Sequence, residues 1–238
     1  MAITTTFNYS PNFKDKKRSK KSIKFLIFHY TGMKSEKKAI RRLTDFQSQV
    51  ASHYLIKASG DIVVFVPDLY IAWHAGLSSW KKYNFLNKNS IGIEISNPGH
   101  EFGYKKFSKK QINSLVKLSN FLIKKYKINK KNILGHSDIS PLRKKDPGEK
   151  FPWEYLAKRN IGYWHNIKKN TLIKLRYKKC GKIFKKQFFN NLFKIGYSRA
   201  YKSQNEKLLI KAFQRRFRPK LVNGIIDHEC LKISKNLI

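Results

Sequence analysis

Apolar residues in the first two thirds of the chain form short continuous runs, a pattern typical of strands buried inside a sheet. The runs FLIFHY and SIGIEI predict two such strands, and NILG predicts a third, shorter strand directly before His136. Two further apolar runs flank Ser59-Gly60-Asp61 in HYLIKASGDIVVFV. Because these three residues favour a turn, this stretch predicts a β-hairpin.

Helical periodicity occurs between the predicted strands. Residues 107–126 carry apolar side chains three and four positions apart, and Ser108 with Gln111 forms a capping-box pattern. A shorter helix is predicted over residues 36–47, with Ser35 as its N-cap. Helices that alternate with strands indicate an α/β fold, here a mixed central β-sheet flanked by helices.

The pattern changes near residue 166, where strand-like runs end and helical patterns take over. In EKLLIKAFQRRF, the apolar residues share one helical face, which is enough to pack a small bundle. We therefore predict a basic N-terminal extension at residues 1–22, an α/β domain at 23–166 and a small all-α domain at 167–238.

The composition is that of a folded but strongly basic protein. With 238 residues, 41% of them hydrophobic, the chain can bury a substantial core, which excludes a disordered basic tail. The formal net charge of +38 indicates either an anionic partner or a compositional drift towards lysine. The lysines are scattered rather than clustered, which favours drift and gives no indication of a specific nucleic-acid partner.

Sequence signals for export or membrane insertion are absent. There is no run of about 18 apolar residues that would predict a transmembrane helix, and MAITTTFNYSPNF lacks the basic and apolar regions of a signal peptide. We expect a cytoplasmic monomer, with a periplasmic or wall-associated location as the alternative. Cys180 and Cys230 are too far apart for a Cys-x-x-Cys metal pair.

Candidate metal ligands follow the predicted strands. His29 and His136 each follow an apolar strand run, so the two imidazoles meet at one sheet edge if the strands are neighbours. Asp146 follows in HSDISPLRKKDPG, a stretch without helical or strand period that we interpret as a loop. Catalytic zinc takes three protein ligands. The spacing is compatible with such a site and also with a solvated charged turn.

The residue identities in five segments carry a family resemblance. FLIFHYTG, ASHYLI, AWHAGLSSW, NSIGIEISN and GHSDISPLRKKDPGEKFPW occur in this order between about residues 23 and 157. Together they closely resemble the zinc-dependent N-acetylmuramoyl-L-alanine amidases of the type 2 amidase family, which share a fold with peptidoglycan recognition proteins. The tail LLIKAFQRRFRPKLVNGIIDHECL resembles a helical peptidoglycan-binding module.

The resemblance implies a role for several residues. It places one Zn²⁺ per chain on His29, His136 and Asp146, the catalytic glutamate on Glu94 and the catalytic basic residue on Lys144. Substrate contact or support of the site is expected from the residues at three further positions, His53, His74 and Asn97. We interpret Asp138 as a loop-capping side chain, and we assign no role to the remaining histidines, which are His100, His165 and His228.

The implied activity is hydrolysis of the amide bond between N-acetylmuramic acid (MurNAc) and L-alanine of peptidoglycan stem peptides. The sugar is either 1,6-anhydro or ordinary MurNAc, and the partners are peptidoglycan fragments or polymer, in wall recycling or turnover. The alternative is a non-catalytic peptidoglycan-recognition protein, which would lack a zinc ligand or Glu94; both are present. Whether the helical region targets the wall or only stabilises the enzyme stays open.

Overall fold

The computed structural model describes residues 5–238 of the chain. The strands in this range are β1 (Thr5–Phe7), β2 (Phe13–Lys14), β3 (Phe25–Tyr30), β4 (Tyr54–Ile56), β5 (Ile62–Val64), β6 (Ile71–Ala72), β7 (Ser79–Trp80), β8 (Tyr83–Asn84), β9 (Ser90–Ile95) and β10 (Ile133–Gly135). The α-helices in the same range are α1 (Glu36–Thr44), α2 (Lys109–Tyr126), α3 (His136–Ile139), α4 (Trp153–Ala157), α5 (Lys169–Leu175), α6 (Lys182–Ile195), α7 (Arg199–Gln204), α8 (Glu206–Phe217) and α9 (His228–Asn236).

Six strands form the central sheet in the order β1-β5-β4-β9-β3-β10. Strands β4, β9, β3 and β10 run parallel, whereas β5 runs antiparallel to β4 and β1 runs parallel to β5. Two short antiparallel pairs, β2 with β6 and β7 with β8, lie outside this sheet. The predicted mixed sheet with flanking helices is thereby confirmed, as is the helical character of the C-terminal region.

Alternating side chains of β3 enter two different cores. Leu26 and Phe28 pack in one cluster with Leu115 of α2, on one face of the sheet. Phe25 and Ile27 point to the opposite face. There they join a cluster that contains residues of α6, α8 and α9. Both faces of the sheet are therefore covered, which explains why the central strands are predominantly apolar.

The C-terminal helices share a core with the sheet. Ile27 and Leu134 belong to the same buried cluster as Phe188 of α6 and Phe213 of α8. The predicted extension also contributes to the sheet, because β1 pairs with β5 from Thr5 to Phe7, whereas residues 1–4 of that extension lie outside the described residues. The division into domains at residues 22 and 166 stays a prediction.

Most predicted elements lie where the pattern placed them. FLIFHY and SIGIEI form β3 and β9, β4 and β5 form the hairpin, and Ser108 and Gln111 form the capping box of α2. Ser35 caps α1, which ends at Thr44 rather than near residue 47. Among residues 5–238, no helix combines the length and the apolar character that crossing a bilayer requires.

The expected loop after β10 begins with a helical turn, and the prediction of an irregular segment was wrong for His136–Ile139. The carboxylate of Asp138 accepts a hydrogen bond from the backbone N–H of Gly135 (2.8 Å), which supports the predicted capping role. A single turn is too short to give a periodic pattern. Gly135 is required here because a Cβ at this position would lie 2.6 Å from Cδ of Pro147.

Candidate metal centre and active site

Three parallel strands bring their carboxyl ends to one edge of the sheet. His29 of β3 pairs with Glu94 of β9, so both side chains point to the same face. Gly135 of β10 pairs with Phe28, which places His136 level with His29. The expectation that the two imidazoles share a sheet end is confirmed by this register.

The predicted ligand atoms converge at this edge. Nδ1 of His29 lies 2.9 Å from Nδ1 of His136, and each lies 3.1 Å from Oδ2 of Asp146. Asp146 is held in place by its carbonyl oxygen, which accepts a hydrogen bond from the N–H of Ser137 (2.8 Å). All three ligand residues are buried. The segment from residue 136 to 146 therefore folds back so that Asp146 meets the two histidines, and it is not a solvated turn.

The hydrogen bonds of His136 fix its tautomer. Its Nε2 lies 3.1 Å from the carbonyl oxygen of Ala75, which can only accept, so Nε2 carries the proton. The lone pair of the neutral ring is therefore on Nδ1, the atom that faces His29 and Asp146. Arg143 donates from Nη2 to the same Ala75 carbonyl (3.1 Å) and steadies it.

A relay of hydrogen bonds fixes the tautomer of His29. Ser90 donates its hydroxyl proton to the carbonyl of Leu86 (2.6 Å), so its oxygen accepts from Nε2 of His74 (3.1 Å). Nδ1 of His74 then accepts from Nε2 of His29 (3.0 Å). The lone pair of His29 is left on Nδ1. Gly92 makes room for this relay, because a Cβ there would lie 2.5 Å from the His74 ring.

This donor set fits a divalent metal ion. The two imidazole lone pairs and the Asp146 carboxylate face one another with no proton between them, an arrangement that a cation satisfies. Burial, reinforced by His136, lowers the pKa of His29 to about 4, so the imidazole is neutral at neutral pH. Two imidazole nitrogens and one carboxylate oxygen are ligands that suit zinc.

Glu94 places a carboxyl group with a free oxygen beside the ligands. Its Oε2 is buried and accepts no hydrogen bond from any residue between 5 and 238. Burial and the nearby Asp146 raise the pKa of Glu94 to about 8, against the opposing effect of Lys144. A group of this pKa can exchange protons near neutral pH.

A cavity of about 450 Å³ opens over these groups. One wall comes from α1 and the preceding turn, another from residues 98 and 100–102, and the third from residues 143–146. Lys144 lies half-buried in the third wall, so the predicted catalytic base and basic residue line the same cavity as the predicted metal ligands.

The three further predicted positions are not equivalent. His74 lines the cavity and supports His29, as described above. His53 is buried away from the cavity lining, where its Nδ1 accepts from the N–H of Gly92 (3.0 Å). Asn97 is engaged within its own loop through Lys105 and Gly99. Substrate contact by His53 or Asn97 stays a prediction.

His100, to which the sequence analysis gave no role, forms part of the cavity wall. Its Nδ1 accepts from the hydroxyl of Tyr30 (2.8 Å), and its Nε2 donates to Glu149 (3.1 Å). The ring stacks on Tyr104 at 4.4 Å. His100 therefore joins the segment after His29 to the segment after Asp146. No local signal predicts contacts that span 49 and 70 residues.

A family model described as N-acetylmuramoyl-L-alanine amidase matches residues 19–149. This range contains the three predicted ligands and all the residues that line the cavity. The chain belongs to the type 2 amidase family. It is therefore an N-acetylmuramoyl-L-alanine amidase, as the five sequence segments implied.

Relatives and solved structures agree with this assignment. The amidase is 34% identical over 230 residues to N-acetylmuramoyl-L-alanine amidase AmiD of Escherichia coli, covering 91% of this chain and 82% of AmiD. It is 35% identical to 1,6-anhydro-N-acetylmuramyl-L-alanine amidase AmpD of Haemophilus influenzae, over 62% of this chain and 88% of AmpD.

Two similar structures extend over the helical region as well. One is E. coli AmiD in complex with anhydro-N-acetylmuramic acid-L-Ala-D-γ-Glu-L-Lys, with a TM-score of 0.80 and 33% identity over 94% of this chain and 91% of that chain. The other is AmpDh3 of Pseudomonas aeruginosa with an anhydromuramic pentapeptide, with a TM-score of 0.79 and 29% identity over 98% and 97% of the two chains.

The relay through His74 gives a first prediction for the amidase. His74→Ala removes the acceptor that fixes Nε2 of His29, so metal affinity is expected to fall by about 10- to 100-fold. His74→Gln, whose amide supplies both an acceptor and a donor, is expected to recover part of the loss. Competition with a chromophoric chelator measures the dissociation constant. An unchanged constant in His74→Ala would rule out this supporting role.

Proposed function

We propose that the amidase is a zinc enzyme that hydrolyses the amide bond between N-acetylmuramic acid and L-alanine of peptidoglycan stem peptides. The observation that carries this proposal is the free, buried Oε2 of Glu94 beside the converging atoms of His29, His136 and Asp146. A metal site with an adjacent proton acceptor is what hydrolysis of an unactivated amide requires.

His29, His136 and Asp146 would hold the ion as three protein ligands, which leaves a coordination position for the reaction. Bound zinc supplies Lewis-acid activation of a water molecule and of the scissile carbonyl. The bonds of His29 to His74 and of His136 to Ala75 keep both rings in the ligating tautomer before any ion arrives.

Glu94 is the proton carrier in this proposal. Its unpaired Oε2 takes a proton from the attacking water, and the same carboxyl then delivers that proton to the departing alanine nitrogen. Burial of the carboxyl, which raises its pKa, makes it a stronger base than an exposed glutamate. This single residue therefore serves both halves of the reaction.

Lys144 is the proposed source of positive charge at the carbonyl oxygen. Its side chain lines the cavity and is close enough to Glu94 and His29 to affect the pKa of both. An ammonium group in this wall stabilises negative charge that develops on the oxygen during attack. The walls of the cavity would exclude bulk water and strengthen that interaction.

The proposed substrate is a muropeptide with 1,6-anhydro-MurNAc. The complexes of E. coli AmiD and of P. aeruginosa AmpDh3 both contain an anhydromuramic peptide, and both proteins match over most of this chain. Ordinary MurNAc is the alternative sugar. The cellular location stays a prediction, as does wall binding by the helical region.

Mass spectrometry of the products tests the proposed reaction. Defined anhydro-muropeptides and muropeptides with a reducing-end MurNAc are incubated separately with the amidase in the presence of zinc. The expected products are the free sugar and a peptide that begins with L-alanine. Intact substrate in both reactions, or cleavage between two amino acids of the stem, would overturn the proposal.

A further inference from the structure

The turn that carries His136 is held by side chains from the C-terminal helices. Arg216 of α8 reaches α3, where its Nη1 forms an ion pair with Oδ2 of Asp138. Nη2 of the same guanidinium donates to the carbonyl of Ile133 in β10 (2.9 Å). Tyr197, after α6, donates its hydroxyl proton to Oδ1 of Asp138 (2.8 Å).

Asp138 connects Arg216 and Tyr197 to the backbone next to His136. Its Oδ2 also accepts from the N–H of Gly135, the residue directly before His136. On the other side of the turn, Tyr201 of α7 donates to the carbonyl of Ile139 (2.7 Å). The backbone on both sides of His136 is therefore tied to residues that lie about 60 to 80 positions later in the chain.

The ion pair lies where charge is costly. Asp138 is 1% exposed and Arg216 is 2% exposed, and the guanidinium also packs over the ring of Trp153 at 4.2 Å. A buried ion pair is weak evidence for stability, because apolar residues of similar size often stabilise a fold as well or better. Its geometric effect is clearer, because hydrogen bonds of fixed direction orient both partners.

We propose that Arg216 and Tyr197 are positioning residues that hold His136 in its ligating geometry, so that the helical region is a component of the metal site. This inference rests on the proposed function, because it assumes that His136 binds the ion. Ligand atoms must lie within about 0.2 Å of the ideal distance for tight binding. A turn released from Arg216 would lose that precision while the rest of the helical region stays folded.

Arg218 provides a matched control. It lies two residues further along the chain and pairs with Asp227 (2.7 Å), and its side chain is as deeply buried as that of Arg216. Its partners, Asp227, Asn223 and Glu229, all belong to the helical region. Loss of this ion pair weakens the helical region without touching the turn that carries His136.

The test compares zinc affinity and thermal stability in the parent and in Arg216→Met, Arg218→Met and Tyr197→Phe. Zinc dissociation constants are measured by chelator competition at a temperature where each protein is folded, and melting is measured on the metal-free forms. Arg216→Met is expected to weaken zinc binding by about 10-fold or more. Tyr197→Phe, which keeps the ring against Trp80, is expected to have a smaller effect in the same direction.

Arg218→Met is expected to lower the melting temperature and leave zinc affinity at the parental value. If Arg216→Met does not fold, Tyr197→Phe decides the question. Parental zinc affinity in the folded Arg216 and Tyr197 variants, or an equal loss of affinity in Arg218→Met, would overturn the positioning role alone. A parent protein that binds no zinc would overturn the proposed function together with this inference.

Discussion

Replacement of Glu94 by glutamine is expected to lower kcat by about 100-fold or more while the zinc content stays at the parental level. The amide keeps the shape of the side chain but cannot take a proton from water. Because the carboxyl of Glu94 is buried with an unpaired oxygen, its replacement by a neutral group is also expected to leave the melting temperature unchanged or raise it. Steady-state kinetics, metal analysis and thermal melting measure the three quantities.

Glu154→Gln controls for the loss of one negative charge, since Glu154 is exposed on α4 and its carboxylate pairs with Lys158. This variant is expected to hydrolyse muropeptide at the parental rate. If Glu94→Gln also does so, the proton carrier is a different group and the assignment of Glu94 is wrong.

Replacement of His29 by alanine is expected to abolish activity by a different route, through loss of the metal. The variant lacks one of the three ligand atoms and leaves Nδ1 of His74 without its donor. Loss of a hydrogen-bond partner of a ligand typically lowers metal affinity by about 10- to 100-fold. Loss of the ligand itself should lower zinc affinity by more than this. Metal analysis after desalting, followed by an activity titration with zinc, measures the effect.

The two variants together separate metal binding from proton transfer. Glu94→Gln should retain zinc and lose turnover, whereas His29→Ala should lose both. A His29→Ala protein that keeps stoichiometric zinc and parental activity would show that the ion, if any, is bound elsewhere.

The sheet was predictable because its central strands are buried on both faces. Such strands are predominantly apolar, so FLIFHY and SIGIEI stand out as apolar runs in which His29 and Glu94 are the ionisable exceptions. The edge strand β1 was missed, since three exposed residues carry no comparable pattern. The turn at His136–Ile139 was missed for a related reason, because a single helical turn is too short for the apolar pattern to repeat.

The grouping of His29, His136 and Asp146 was predictable from the sequence, whereas the side chains that support this group were not. His29, His136 and Glu94 each lie in or directly after an apolar run, and the family resemblance assigned their roles. The contacts of His100 with Glu149 and of Asp138 with Arg216 depend on side chains far apart in the chain. Hydrophobic periodicity reports which residues are buried, and it contains no information on which polar groups meet across such distances.

The zinc content of the purified protein tests the central claim most directly. We expect about one zinc ion per chain, as a site with three protein ligands implies. Chelation should abolish muropeptide hydrolysis, and added zinc should restore it. Full hydrolysis by protein from which all metal has been removed would contradict the account.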